Sequence, residues 1–248
     1  MKLDVVFTPA GLAAVEVHGK AVFVIDVLRA GTSICAALSA GARAVVPAAN
    51  VEEAIRLAQT LGPEETLLAG ERNRLKVEGF ALGNSPAEMI EPQVKGKTLI
   101  MTTTNGTGAL LAVAHAPQVY VASIVNFSLV AERARAAFLG GGELLVVCAG
   151  REKAFALDDA YVAGRLIEAA MGGRRHRKGL SDGALAALDL VRRYGHGWER
   201  PLTLSQGGRD LIATGFGPDI SFAATEDACP VLPVFSNRRV VLAPTAAP

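Results

Sequence analysis

The chain has 248 residues and a mass of 25.7 kDa, long enough to bury a substantial core without disulfide or metal staples. Half of the residues are hydrophobic and only 5% aromatic, a composition suited to helices packed closely on an aliphatic sheet. With 25 basic and 24 acidic residues the net charge is +1, which excludes recruitment of nucleic acid or an anionic membrane by a global field.

Short apolar runs predict strands at Lys2 to Phe7, Ala21 to Asp26, Ala44 to Pro47, Thr66 to Ala69, Thr98 to Thr103, Val119 to Ala122 and Glu143 to Cys148. Helical periodicity predicts helices at Thr32 to Ala40, Val51 to Leu61, Gly106 to Ala114, Ser128 to Leu139 and Asp158 to Met171. This alternation argues for an α/β fold, a three-layer α/β/α arrangement with a largely parallel sheet and right-handed crossovers. Beyond Gly172 the pattern turns helical near Asp182 to Tyr194 and Ser205 to Thr214, then gives way to a Pro-punctuated tail. One domain spanning residues 1–248, with room for two α/β subdomains, is the expected organisation.

Cys35, Cys148 and Cys229 are odd in number, far apart and without CxxC spacing, as in a reduced, cytoplasmic protein. The first residues contain Asp4 and Pro9 and no apolar stretch fit for a signal sequence. No apolar run approaches the ~18 residues of a membrane span.

Polar residues gather where four of these strands end, the side on which open α/β sheets bind ligands. FVID leads into Asp26, Arg29, Gly31, Thr32 and Ser33; TLLAG into Glu71, Arg72, Asn73, Arg74 and Lys76; TLIM into Thr102 to Thr107; and LLVVCAG into Arg151, Asp158 and Asp159. A carboxylate, a guanidinium and free amide donors at a strand mouth suit a metal-bound phosphate. If the four strands are neighbours, the four ends form one crevice.

Other motifs fail on their spacing. Gly106, Thr107 and Gly108 start like a dinucleotide fingerprint, but Leu111 stands at the third glycine, and Glu91 occupies the first glycine of a phosphate-loop reading of Gly96, Lys97 and Thr98. Six residues after Cys148 comes Ala154, so no arginine closes a cysteine-phosphatase cradle. His18, His115, His176 and His196 lack metal-ligand spacing, and the basic run Arg174 to Lys178 reads as a solvated loop.

DVLRAGTS around Asp26, GERNRLKVEGFALGNSP from Gly70 to Pro86, TTTNGT from Thr102 to Thr107 and CAGREKAFALDDAYVAG from Cys148 to Gly164 together resemble the 2-phosphosulfolactate phosphatase family. The C-terminal pattern of Ser205, Gly208, Leu211, Gly215, Asp219 and Ile220 is similar to it as well, so the resemblance covers most of the chain in order. Three positions depart from the family pattern: Gly31 where Thr or Ser is expected, Ala81 where Asp is expected, and Asp158 where Glu is frequent.

The resemblance implies an Mg²⁺-dependent phosphoric monoester hydrolase that converts 2-phospho-3-sulfolactate to 3-sulfolactate and phosphate, a step of coenzyme M biosynthesis. Joined to the strand-end pattern, it makes Asp26, Arg29 and Asp159 the expected catalytic residues and Asp26, Glu71 and Asp159 the expected metal ligands. Thr32, Ser33, Arg72, Lys76, Asn105, Gly106 and Thr107 are the expected substrate contacts, with Arg72 or Arg74 holding the carboxylate or sulfonate. Attack by water on the metal and attack by Asp26 itself both remain open, although Leu28 replaces the second Asp of a haloacid-dehalogenase motif. Another anionic phosphate ester as substrate, or a non-catalytic anion binder, are the alternatives. Partners are expected to be the small anionic ester and further copies of the chain, with Val231 to Pro244 forming part of a homo-oligomer interface.

Overall fold

The computed structural model describes residues 2–62, 64–173 and 178–243, so most of the basic run from Arg174 lies outside the described residues. The first half of the chain forms β1 (Leu3–Val6), β2 (Lys20–Ile25), α1 (Ala30–Ser39), β3 (Ala44–Pro47), α2 (Val51–Leu61), β4 (Thr66–Arg72), β5 (Leu75–Lys76), α3 (Glu91–Val94), β6 (Thr98–Thr102) and α4 (Gly106–Ala112). It continues with β7 (Gln118–Ala122), α5 (Phe127–Leu139), β8 (Glu143–Cys148), α6 (Leu157–Met171) and α7 (Asp182–Tyr194). Three short helices, α8 (Glu199–Leu204), α9 (Gln206–Ala213) and α10 (Gly217–Ala223), lead to strands β9 (Pro233–Ser236) and β10 (Arg239–Leu242).

The expected alternation is borne out, with a ten-stranded mixed sheet in the order β1-β8-β2-β7-β9-β10-β3-β6-β4-β5. Two parallel blocks, β1-β8-β2-β7 and β3-β6-β4, are joined by the antiparallel hairpin β9-β10. Strand β2, KAVFVI, is buried along its whole length, as a strand covered on both faces must be. Its residues alternate between two cores. Phe23 and Ile25 pack with Tyr161, Leu166 and Val191 of α6 and α7 on one face, and Val22 and Val24 pack with Ile34 and Leu38 of α1 on the other. The layers are therefore helix, sheet, helix.

The Pro-punctuated tail, for which the sequence pattern predicts no strand, supplies the two strands that bridge the blocks. Asn237 and Arg238 both adopt positive φ (49° and 58°), the geometry of a tight hairpin turn made without the usual glycine. The hairpin pairs with β7 at Val119 and Tyr120 and with β3 at Val45, leaving the carboxyl ends of both strands unpaired on that side. The four site-bearing strands are thus not one contiguous set, because β8 and β2 sit apart from β6 and β4. In a flat sheet β2 and β6 would lie about 24 Å apart. Curvature brings their ends together, since a Cβ placed on Gly106, just after β6, would lie 2.4 Å from Asp26 Oδ2 at the end of β2.

Helices α6 and α7 meet at Gly164, where an added Cβ would lie 2.1 Å from the Ala187 carbonyl oxygen. Only glycine permits that approach. Gly164→Ala is therefore expected to force the helices apart at a cost of about 3 kcal/mol, lowering Tm by roughly 6–12 °C. Thermal unfolding followed by circular dichroism checks this, and an unchanged Tm would mean that the two helices do not touch there.

Candidate active site

The end of β2 carries Asp26, buried at 8% exposure, whose Oδ1 accepts the Ala30 N–H (3.1 Å) as α1 begins. The Leu28–Arg29 peptide is cis. Gly31 donates its N–H to the Asp26 carbonyl (2.8 Å), and a Cβ on Gly31 would come within 2.7 Å of that oxygen. The first turn of α1 is thus fitted to glycine at the position where the family pattern has Thr or Ser. Ala81, by contrast, is exposed and does not line the crevice, so the missing Asp there removes no carboxylate from it.

Asp26, Glu71, Asp158 and Asp159 line a single crevice with Arg29, Arg74 and Arg151, and all four strand ends contribute to it. The crevice encloses about 90 Å³, room for several waters or one small polyanion. Two of the acids are braced by backbone amides from separate loops. Asp159 accepts the Val27 N–H (2.9 Å) and the Gly150 N–H (3.0 Å), tying the β2 loop to the β8 loop. Glu71 accepts the N–H groups of Arg74 (2.7 Å) and Thr104 (2.8 Å), tying the β4 turn to the β6 loop.

Burial and crowding raise the pKa values of these carboxyls. Asp26 is pushed up to about 7, chiefly by burial and then by the charges of Asp158 and Glu71, against the opposing Ala30 amide and Arg29. Asp158 is raised to about 6 by burial, opposed by backbone amides, the Ser205 hydroxyl and Arg151. Asp159 is raised well above its ordinary value by burial and by the charges of Asp158 and Asp26. Cys148 lies behind them, its thiol also raised by burial and by Asp159 and Asp158, which makes it inert as a nucleophile. All three cysteines are free and buried.

Among the described residues, no group of three or more His, Cys, Asp or Glu side chains is arranged to hold a metal ion by itself. Mg²⁺ asks for less, because it keeps several waters and takes one or two carboxylates. Asp26, with only one oxygen engaged by an amide, and Asp158, whose charge acts on it, would supply that donor set. Both oxygens of Glu71 and both of Asp159 already accept amide protons, so these two expected ligands also serve as buttresses of the loops.

Arg29 lies in the crevice wall, 4% exposed, but its guanidinium is already engaged. Nη1 donates to Asp219 Oδ2 (2.8 Å), Nη2 donates to the Arg74 carbonyl (2.8 Å), and the group stacks 4.3 Å over the Phe216 ring. The remaining N–H donors are what it can offer a ligand. Asn105 also lines the crevice, its Oδ1 accepting the Glu152 N–H (2.8 Å).

The other expected substrate contacts stand outside the lining. Thr32 bonds the Val27 carbonyl and Ser123 Oγ (both 2.8 Å), and Ser33 donates to the Asn84 carbonyl (2.9 Å), so both hydroxyls act as struts of α1. Thr107 exchanges hydrogen bonds with Thr103, while Gly106 backs directly onto Asp26. Arg72 turns to the Glu71 carbonyl (2.7 Å) and Thr102 Oγ1 (2.9 Å), and Lys76 is exposed on β5. Arg74 takes the crevice position instead of Arg72. Sequence reasoning did not assign a role to Asn84, although it lies in the GNSP end of the Gly70 to Pro86 motif, and missed Asp210, whose role depends on α9 folding back against two loops.

A family model described as 2-phosphosulpholactate phosphatase matches residues 6–238. The chain is 40% identical over 230 residues to a protein of Symbiobacterium thermophilum named "Probable 2-phosphosulfolactate phosphatase", covering 92% of this chain and 97% of the relative. Relatives with the same name occur in Caldanaerobacter subterraneus, at 39% identity over 90% of each chain, and in Clostridium acetobutylicum, at 32% identity over 97% of this chain and all of the relative. The resemblance carried by the strand-end motifs thus extends over nearly the whole chain, which belongs to the 2-phosphosulfolactate phosphatase family, a family of phosphoric monoester hydrolases.

Proposed function

We propose that the crevice hydrolyses 2-phospho-3-sulfolactate to 3-sulfolactate and inorganic phosphate, with Mg²⁺, in coenzyme M biosynthesis. The observation that carries this reading is the meeting of five carboxylates, Asp26, Glu71, Glu152, Asp158 and Asp159, and three arginines in one small crevice at the carboxyl ends of the strands. Family membership supports the substrate.

Asp26 and Asp158 would hold the cation. When bound, Mg²⁺ supplies positive charge against the phosphoryl oxygens and acidifies water. The free N–H donors of Arg29, together with Asn105, face the phosphoryl group and neutralise charge that builds up as the ester bond breaks. Water adds its oxygen to phosphorus, the bond from phosphorus to the C2 oxygen breaks, and a carboxylate of the cluster takes the proton that the water gives up and passes it to the departing C2 oxygen, which leaves as the hydroxyl of 3-sulfolactate. Asp26, its Oδ1 fixed by the Ala30 amide, would be the principal anchor of the cation. Asp159 and Glu71 keep the loops, and hence the reacting groups, in register.

Asp26→Asn should reduce phosphate release by at least about 10³-fold while leaving the circular dichroism spectrum intact. Near-normal turnover would remove Asp26 from the mechanism. Chelator should abolish release and added Mg²⁺ restore it; release that persists after exhaustive chelation would overturn the metal requirement.

The raised carboxyls also set a pH dependence of stability. The folded state holds protons on Asp26 and Asp158 that the unfolded chain releases near pH 4, so their contribution is complete below that pH and is lost as pH rises through about 6 to 7. The Tm of metal-free wild-type protein is expected to fall across this window, and that of Asp26→Asn to fall less. Identical slopes in a melting series from pH 4 to 8 would contradict the burial of a titrating Asp26.

A further inference from the structure

Among the described residues, two buried side-chain polar atoms lack a hydrogen-bond partner, Asn84 Oδ1 and Arg151 Nε, and both side chains line the same crevice. An unmet buried polar group costs about 1–3 kcal/mol, and such groups in folded proteins commonly await a water, ion or ligand. Asn84 is only 5% exposed, and it is held in place. Its carbonyl accepts Ser33 Oγ (2.9 Å), and the next residue, Ser85, donates through Oγ to Asp219 Oδ1 (2.7 Å), whose other oxygen holds Arg29.

Arg151 is fixed from the opposite side. Its Nη2 and that of Arg74 both donate to Asp210 Oδ2, at 2.7 and 2.6 Å, and Gln206 Nε2 secures the other Asp210 oxygen (2.9 Å). Asp210 itself does not line the crevice. Glu152 approaches Arg151 at 3.4 Å and Arg74 at 3.8 Å, but its side chain is 58% exposed and its charge is screened by solvent. Arg151 therefore lines the crevice with Nε unmet while its far end is anchored, the pre-organised state that makes a guanidinium an effective anion ligand.

We propose that Asn84 and Arg151 determine the substrate specificity of this crevice. Arg151 donates through Nε to an anionic oxygen of a second acidic group on the ester's carbon skeleton, and Asn84 Oδ1, an acceptor, is met by a water that donates both to it and to the same acidic group. Asp210 is a positioning residue that holds Arg151 and Arg74 from behind. The substrate class is a small phosphate monoester bearing a carboxylate or sulfonate near the ester carbon, and the assignment rests on the crevice being the phosphatase site. A site with buried polar groups built to meet a ligand discriminates strongly against analogues that leave those groups unmet.

The test compares kcat/KM on 2-phospho-3-sulfolactate and on glycerol 2-phosphate, which carries hydroxyls in place of the acidic groups. Arg151→Gln and Asn84→Ala should each lower the ratio of the two values at least tenfold. Asp210→Asn should raise KM for 2-phospho-3-sulfolactate more than it lowers kcat, with Asp210→Glu restoring part of the loss. Equal losses on both esters, or no loss, would overturn the assignment. Calorimetric titration with 3-sulfolactate needs no turnover and is independent of the folding of the Asn84 variant: binding at least tenfold weaker to Arg151→Gln than to wild type is expected. Equal affinity, or no binding to wild type, would refute the subsite. If no ester is hydrolysed by wild type, the phosphatase reading fails while the titration still decides the subsite.

Discussion

Carboxylates held out of bulk water by backbone amides are the constraint around which the carboxyl side of the sheet is built. Burying an ionised group costs several kcal/mol unless hydrogen bonds and opposite charges compensate. Asp159 and Glu71 each receive two amide protons from two different loops, so four strand ends are shaped around two acids. The loops bend accordingly. Asn73 and Arg74 adopt positive φ (52° and 72°) and bring the Arg74 amide onto Glu71, and Glu152 and Lys153 (52° and 67°) make the tight turn that returns the chain from Arg151 to Ala154. Non-glycine residues in that region carry strain, which the hydrogen bonds offset.

The same accounting governs the acidity of Asp26, Asp158 and Asp159. Asp26 has one amide and Asp158 a hydroxyl and its own helix start, and burial raises both toward neutrality; Asp159 is raised too despite its two amides, because the charges of Asp158 and Asp26 add to its burial. A bound cation would supply the missing charge. The arginines across the crevice are handled in the opposite way, each anchored by an acid from the C-terminal helices: Arg29 by Asp219, and Arg74 with Arg151 by Asp210. Helices α9 and α10 therefore orient the cationic side of the site.

Much of this was legible in local sequence. The strand ends at Asp26, Glu71, Thr102 and Arg151 all reach one crevice, because a parallel α/β unit places its loops on a common side. The direction of each polar side chain was not legible. Thr32 and Ser33 look like phosphate contacts in sequence, yet each has a backbone carbonyl within reach in the packed helix and turns inward to it. Arg72 and Arg74 are equivalent in sequence, but the β4-β5 turn sends one to Thr102 and the other to the crevice.

By itself the sequence determined the α/β alternation, the identity of the chemical groups at the strand ends and membership of the family, since periods of 2 and 3.6 residues and short ordered motifs are local properties. Only the tertiary structure decided that the C-terminal tail becomes the hairpin joining the two parallel blocks, that β2 and β6 meet by curvature, and that Asp210 and Asp219 arrive behind the arginines. Those outcomes depend on partners far apart in the chain, 190 residues for Arg29 and Asp219, and on the requirement that every buried charge find one.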